Sequence, residues 1–131
     1  MVSTQWYIED TIRLGEESLA VSVRLPAFRF RRTTDGTMVL KGPLRSTGGN
    51  VYQVALVYPP DFPQTAPRVY PIPRLVGPHT FADGAMCLFR PDDRTWTSDS
   101  TAVTVLAIAA VWLSVREYWQ KHGVWLGRQH T

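Results

Sequence analysis

Ile8, Ile12, Leu19 and Val23 recur at the spacing of one helix face, Glu9 and Arg13 stand four apart, and Ser3 or Thr4 is placed to cap the start. Pro26 stops the run. A second pattern overlaps it, because Leu19, Val21, Val23 and Leu25 alternate with period two and Gly15 weakens a continuous helix. The reading is an N-terminal helix, with residues 15–25 open between helix and strand.

From Phe28 the pattern changes to short extended segments. FRFRR comes first, TMVLKGPL follows the Asp35-Gly36 hairpin signal, and NVYQVALVYP follows Gly48-Gly49. In the third segment Val51, Gln53 and Ala55 oppose Tyr52, Val54 and Leu56, the alternation of a two-faced strand. Seven prolines between Pro59 and Pro78 then exclude a helix, which leaves an ordered, irregular connection around a short fourth strand at Arg68–Tyr70. Cys87 lies in the next extended piece, just past a glycine-containing turn. Beyond Pro91-Asp92-Asp93, Ser98 or Asp99 can cap an apolar helix in which Val103, Leu106, Ala110 and Leu113 share a side. Helix, antiparallel meander of about four strands, long proline-rich loop and helix make an α+β order.

Composition narrows this picture further. The 131 residues, without repeat or linker-like tract, read as a single domain over 1–131, and 44% hydrophobic content is enough for one real core. Disordered and fibrous classes are excluded. The longest apolar run, Thr101 to Val115, falls short of the roughly 20 residues a bilayer core requires, and Asp99 and Arg116 flank it, so it reads as a buried helix. No membrane partner is expected, and MVSTQWYIEDTIR carries no apolar signal core, so the expected location is cytoplasmic. Fourteen Lys and Arg against 11 Asp and Glu is a mild positive bias. The cluster PAFRFRRTT has a composition that can face nucleic acid or an acidic protein, but Phe–Arg alternation is also what a half-buried strand looks like. Without a recognisable nucleic-acid module, nucleic acid is not expected as a partner. The single cysteine, Cys87, excludes an internal disulfide and a paired-cysteine site, leaving an inert small hydrophobe or a reactive thiol. His79, Cys87, His122 and His130 do not have zinc-site spacing.

Several of these residues fall in a familiar order. Y-x-V-x-L-x-YPPDFPQTAPRVY, then His79, a turn, Asp83-Gly84-x-x-Cys87-Leu88, Trp96 and an apolar helix resemble the ubiquitin-conjugating enzyme (UBC) fold. More narrowly, Arg90-Pro91-Asp92-Asp93, then Val-Trp-Leu-x-x-x-Glu-x-Trp and Gly-x-Trp-x-Gly-x-x-His, look like the stand-alone bacterial conjugating-enzyme-like proteins of anti-phage operons. Those operons include cyclic-oligonucleotide signalling (CBASS) and bacterial ubiquitination-like systems. The similarity covers about residues 38 to 130. The usual eukaryotic His-Pro-Asn is replaced here by His79-Thr80-Phe81, so the Asn that steadies the oxyanion or its loop has no counterpart.

The resemblance implies an α+β UBC-like fold with C-terminal helices. It implies a conjugating enzyme that takes a modifier C-terminus as a thioester on Cys87 and passes it to an amine of a target protein. His79 would support the active-site loop and Trp96 would close it by packing. Asp92, Asp93 or Asp99 would orient the acceptor amine, and Thr80 or backbone N–H groups around Asp83-Gly84 would meet the oxyanion. A cysteine suits the task because its thiolate is a strong nucleophile and also a tolerable leaving group. No metal or bound cofactor is expected. ATP would be used by a separate activating enzyme, since no Gly-rich phosphate loop is present. The modifier would be a ubiquitin-like protein or the C-terminal tail of a partner nucleotidyltransferase. Two alternatives remain: a catalytically inactive UBC-like binding module and a cysteine deconjugating hydrolase.

Overall fold

The structure, a computed structural model, describes residues 4–89 and 96–126. A short helix α1 (Trp6–Glu9) precedes α2 (Thr11–Arg24). Four strands follow, β1 (Arg29–Arg32), β2 (Met38–Arg45), β3 (Val51–Val57) and β4 (Arg68–Ile72), and α3 (Ala102–His122) closes the described chain. The strands form one antiparallel sheet in chain order, β1-β2-β3-β4, so β1 and β4 are its edges. Gly36 and Gly49 both sit at φ +86, the left-handed conformation that the two hairpin turns require.

Alternation along the strands builds the core. Met38, Leu40, Leu44, Val54, Leu56 and Val69 face inward and meet Leu106, Ala109 and Leu113 of α3. A cluster of Trp6, Tyr58 and Phe62, with ring centroids 4.7–4.9 Å apart, fills one end of this layer. By length and composition alone α3 could cross a membrane, but Val105, Leu106, Ala109 and Leu113 are fully buried in the protein core. Arg116, also buried, donates to the Val76 carbonyl at 2.9 and 2.7 Å, which ties the helix to the proline-rich loop.

The structure departs from the sequence pattern at both helical ends. The N-terminal helix is two helices that break at Asp10, whose side chain caps α2 by accepting from the Arg13 N–H. Thr4 is not the cap of α1, which Gln5 occupies, and Ser3 lies outside the described residues. Residues 15–24 are helical, not strand. The periodic Ile8, Ile12, Leu19 and Val23 are 60–77% exposed, while α2 buries Arg13, Glu17 and Val21 instead. An ion pair takes the inward stripe of α2. Arg13 accordingly pairs with Glu17, 3.5 Å away, rather than with Glu9.

At the other end the N-cap is Thr101, not Ser98 or Asp99, and it makes no side-chain cap bond. Among the described residues one helix, not several, follows the cysteine-bearing segment; it ends at Gly123, in the left-handed conformation. Leu106 and Leu113 are buried as their spacing predicts, but Val103 and Ala110 are only half-buried and Val111 is exposed, so α3 is amphipathic in place rather than enclosed all round.

Candidate active site

Cys87 sits on the return limb of a small hairpin that leans on β4. Thr80 and Met86 form an isolated antiparallel bridge, Phe81 N–H donates to Ala85 O at 2.8 Å, and Gly84 at φ +95 makes the turn. Met86 N–H donates to Val69 O at 2.9 Å, which attaches the hairpin to β4. Because side chains alternate along an extended segment, burying Met86 and Leu88 turns Cys87 to the opposite side, where it is half-buried.

His79 lies next to Cys87 through its backbone. Its carbonyl accepts from the Cys87 N–H at 2.9 Å and from Trp112 Nε1 at 3.1 Å. Its φ of 58 is left-handed, a conformation in which His is several-fold enriched among non-glycine residues. The imidazole packs on Trp125, 4.8 Å between ring centroids, and Trp125 in turn packs edge-on against Trp112. Trp112 and Trp125 are therefore a support behind the active-site loop, while Trp119, half-buried, lies apart from them along Val76 and Arg116.

Three of the groups expected to meet the oxyanion make other hydrogen bonds in this structure. Thr80 Oγ1 donates to Gly77 O at 2.8 Å, Gly84 N–H to Phe81 O at 2.9 Å, and Ala85 N–H to Asp83 Oδ1 at 3.1 Å. For the two N–H groups the reason is the turn itself, which needs those protons to close. Trp96 donates Nε1–H to Pro63 O at 3.0 Å and packs beside Phe62 and Phe89, which ties the chain at Trp96 to the proline-rich loop. Asp99 is exposed ahead of α3. Asp92 and Asp93 lie outside the described residues.

Two groups that sequence reasoning missed shape this site. The Asp83 carboxylate accepts from Arg68 at 3.0 Å, from the Tyr70 hydroxyl at 2.8 Å and from Ala85 N–H, which locks the turn onto β4 and holds its carboxyl below the usual aspartate range. Arg68 also lies over the Phe81 ring at 4.3 Å. Burial pushes the Cys87 thiol above its ordinary pKa, and the positive charge of Arg68 pulls it partly back. The only sequence signal for Arg68 was its alternation with Val69 and Tyr70 on β4, which says outward but not toward the cysteine.

The segment between Cys87 and α3 is anchored from α2. Arg13 donates to Ser98 O at 2.6 Å and to Ser100 O, and its guanidinium lies 4.7 Å from the Phe62 ring centre. Glu17 accepts from the Ala102 N–H at 3.0 Å and the Tyr58 hydroxyl at 2.9 Å. A buried carboxylate on one helix therefore caps the N-terminus of the other.

Residues 17–131 match the family model described as Type II CBASS E2 protein. The chain belongs to this family. Among solved structures, human ubiquitin-conjugating enzyme E2 G1 is similar, with a TM-score of 0.56 and 18% identity, covering 80% of this chain and 94% of that one. At that identity the likeness establishes the fold, an α+β UBC-like domain. No curated protein matches the chain. Membership makes this an E2-like conjugating protein of CBASS, a class that works with ubiquitin-like modifiers and activating enzymes.

Proposed function

We propose that this E2-like protein is an acyltransferase that carries a modifier as a thioester on Cys87 in a bacterial, cytoplasmic anti-phage pathway. The observation that carries the reading is the presentation of Cys87. The chain's single cysteine sits half-buried on the return limb of a braced hairpin, its side chain on the side opposite the buried Met86 and Leu88. In the first step Cys87 Sγ attacks the carbonyl of an activated modifier C-terminus, a C–S bond forms, and the activating enzyme's leaving group departs. In the second an amine of the target attacks the thioester, the amide C–N bond forms, and the C–S bond breaks. The amine gives up a proton and the thiolate of Cys87 is restored. Activation of the modifier by ATP belongs to a separate enzyme, and the donor is a ubiquitin-like protein or the C-terminal tail of a partner nucleotidyltransferase.

Asp99 stands exposed within the segment that Arg13 anchors and is a carboxylate for orienting the amine, a role that the sequence also offers to Asp92 and Asp93. The test is intact-mass analysis of the protein mixed with ATP, a cognate activating enzyme and modifier. A reducible adduct on wild type, absent from Cys87→Ala and replaced by a reductant-stable ester on Cys87→Ser, is the expected result. Partner binding without any adduct would make the protein a binding module, and release of modifier from a preformed conjugate would make it a hydrolase.

A further inference from the structure

The Phe–Arg strand lies outside the candidate active site, and it forms an open edge with a chemically distinctive character. β1 pairs only with β2, in the register Arg29↔Lys41, Phe30↔Leu40, Arg31↔Val39 and Arg32↔Met38. Immediately beyond it, Thr33 N–H donates to Thr37 O at 2.9 Å, which makes Thr33 and Thr37 a hydrogen-bonded pair. Antiparallel pairs alternate, so Arg31 and Arg29 also bond inward to β2, while the N–H and C=O groups of Phe30 and Arg32 point off the sheet. No described residue outside the sheet takes them up.

The two faces of this edge differ. Outward stand Arg29 and Arg31, with Lys41 in the next strand, all exposed, and no carboxylate among the described residues forms an ion pair with any of them. Arg29 is folded back on the Pro26 and Phe28 carbonyls, at 2.6 and 3.0 Å, which fixes its guanidinium beside the edge. Inward, an open cavity of about 240 Å³ runs between the edge and α2, walled by Ser18, Val21 and Ser22, by Pro26, Phe28 and Phe30, and by Arg29, which borders it as well as the outer face.

We infer that the β1 edge is a docking site for an extended segment of a partner protein in which acidic and apolar residues alternate. Such a segment adds a fifth strand. Its backbone satisfies Phe30 and Arg32, its carboxylates meet Arg29 and Arg31, and an apolar side chain between them enters the cavity beside α2. A second copy of this chain does not fit, because edge-to-edge pairing would set Arg29, Arg31 and Arg32 against one another. The charges that guard the edge against self-association thereby select an acidic occupant.

A fluorescein-labelled acetyl-Glu-Val-Glu-Val-Glu-Val-amide peptide, titrated with the full protein and followed by anisotropy, tests the inference. Saturable binding is expected, together with none for the peptide with Lys in place of Glu. Arg31→Glu, an exposed site remote from the core, should weaken binding about tenfold, as an ion pair becomes a like-charge pair. N-methylation of alternate peptide amides should abolish binding in one register and spare it in the other. Hydrogen exchange should slow at the amides of Phe30 and Arg32 but not at those of Arg29 and Arg31. Equal effects of the two N-methyl registers, unchanged exchange at Phe30 and Arg32, or preferential binding of a single-stranded oligonucleotide over the peptide would overturn it.

Discussion

Cys87 and His79 are joined through the main chain: the cysteine N–H donates to the histidine carbonyl at 2.9 Å, while the imidazole packs on Trp125. The histidine thus holds the cysteine-bearing limb with its backbone and braces the loop with its ring. Asn keeps a polar side chain and tolerates the left-handed conformation that His79 adopts at φ 58. His79→Asn should therefore leave the rate of adduct formation within a few-fold of wild type and the shape of its pH profile unchanged, as read by gel-resolved single-turnover kinetics. A histidine acting as general base, which the hydrolase alternative requires, would instead cost about 10²–10⁴-fold on removal.

Thiol reactivity should follow pH in a stated direction. Burial raises the Cys87 pKa and the Arg68 charge opposes it, so at neutral pH the reactive thiolate is the minor form. The rate of iodoacetamide alkylation is then expected to climb about tenfold per pH unit through and above neutrality, levelling only above the pKa of an ordinary thiol. Arg68→Ala removes the favourable charge and should displace the profile to higher pH, whereas Arg68→Lys should hold it. A profile with its midpoint below that of a free cysteine would contradict this account.

The sheet was legible because strand chemistry is local: alternation, Asp35-Gly36 and Gly48-Gly49 are each read within a few residues, and the pairings of β1 with β2 and of β2 with β3 follow them. Cys87 stood out as a candidate for a different reason, as the chain's single cysteine in a recognisable order of residues. What periodicity could not reveal was which stripe of α2 faces inward. Ile12, Leu19 and Val23 look like a core face, but Arg13 and Glu17 win the interior because α3 and the loop before it offer them Ser98 O, Ser100 O and the Ala102 N–H, 85 and 87 residues away. Contacts of that range leave no trace in a helical wheel. The same limit hid Asp83 and Arg68, whose roles arise only when the hairpin is laid on β4.

The buried pair of Arg13 and Glu17 makes a sharp prediction about stability. Removing one partner of a buried ion pair leaves the other charge uncompensated, so Glu17→Ala should cost about 3–5 kcal/mol in urea unfolding. Glu17→Gln keeps an acceptor for Ala102 and Tyr58 and should cost less. Desolvation raises the Glu17 pKa in the folded protein, against the opposing pull of Ala102, Tyr58 and Arg13. The folded state therefore holds its proton to higher pH than the unfolded chain. Glu17's contribution to stability should decline as pH rises from the ordinary glutamate pKa through the raised one, and Glu17→Gln should remove that decline.

Gly42 has no alternative in its place on β2. A Cβ there would lie 2.4 Å from Phe28 Cγ and 2.6 and 2.7 Å from the two Cδ atoms, and Phe28 is a buried core residue between α2 and β1. The ring cannot swing clear without leaving the cluster it packs in, so Gly42→Ala should destabilise by about 1–3 kcal/mol through overpacking. Phe28→Ala alone should also destabilise, by loss of buried area. Combined, the two changes should cost less than their separate effects added together, because alanine lacks the Cγ and Cδ atoms that the new methyl meets. A double-mutant cycle from urea midpoints measures the coupling, and strict additivity would show that Phe28 does not set the requirement for glycine.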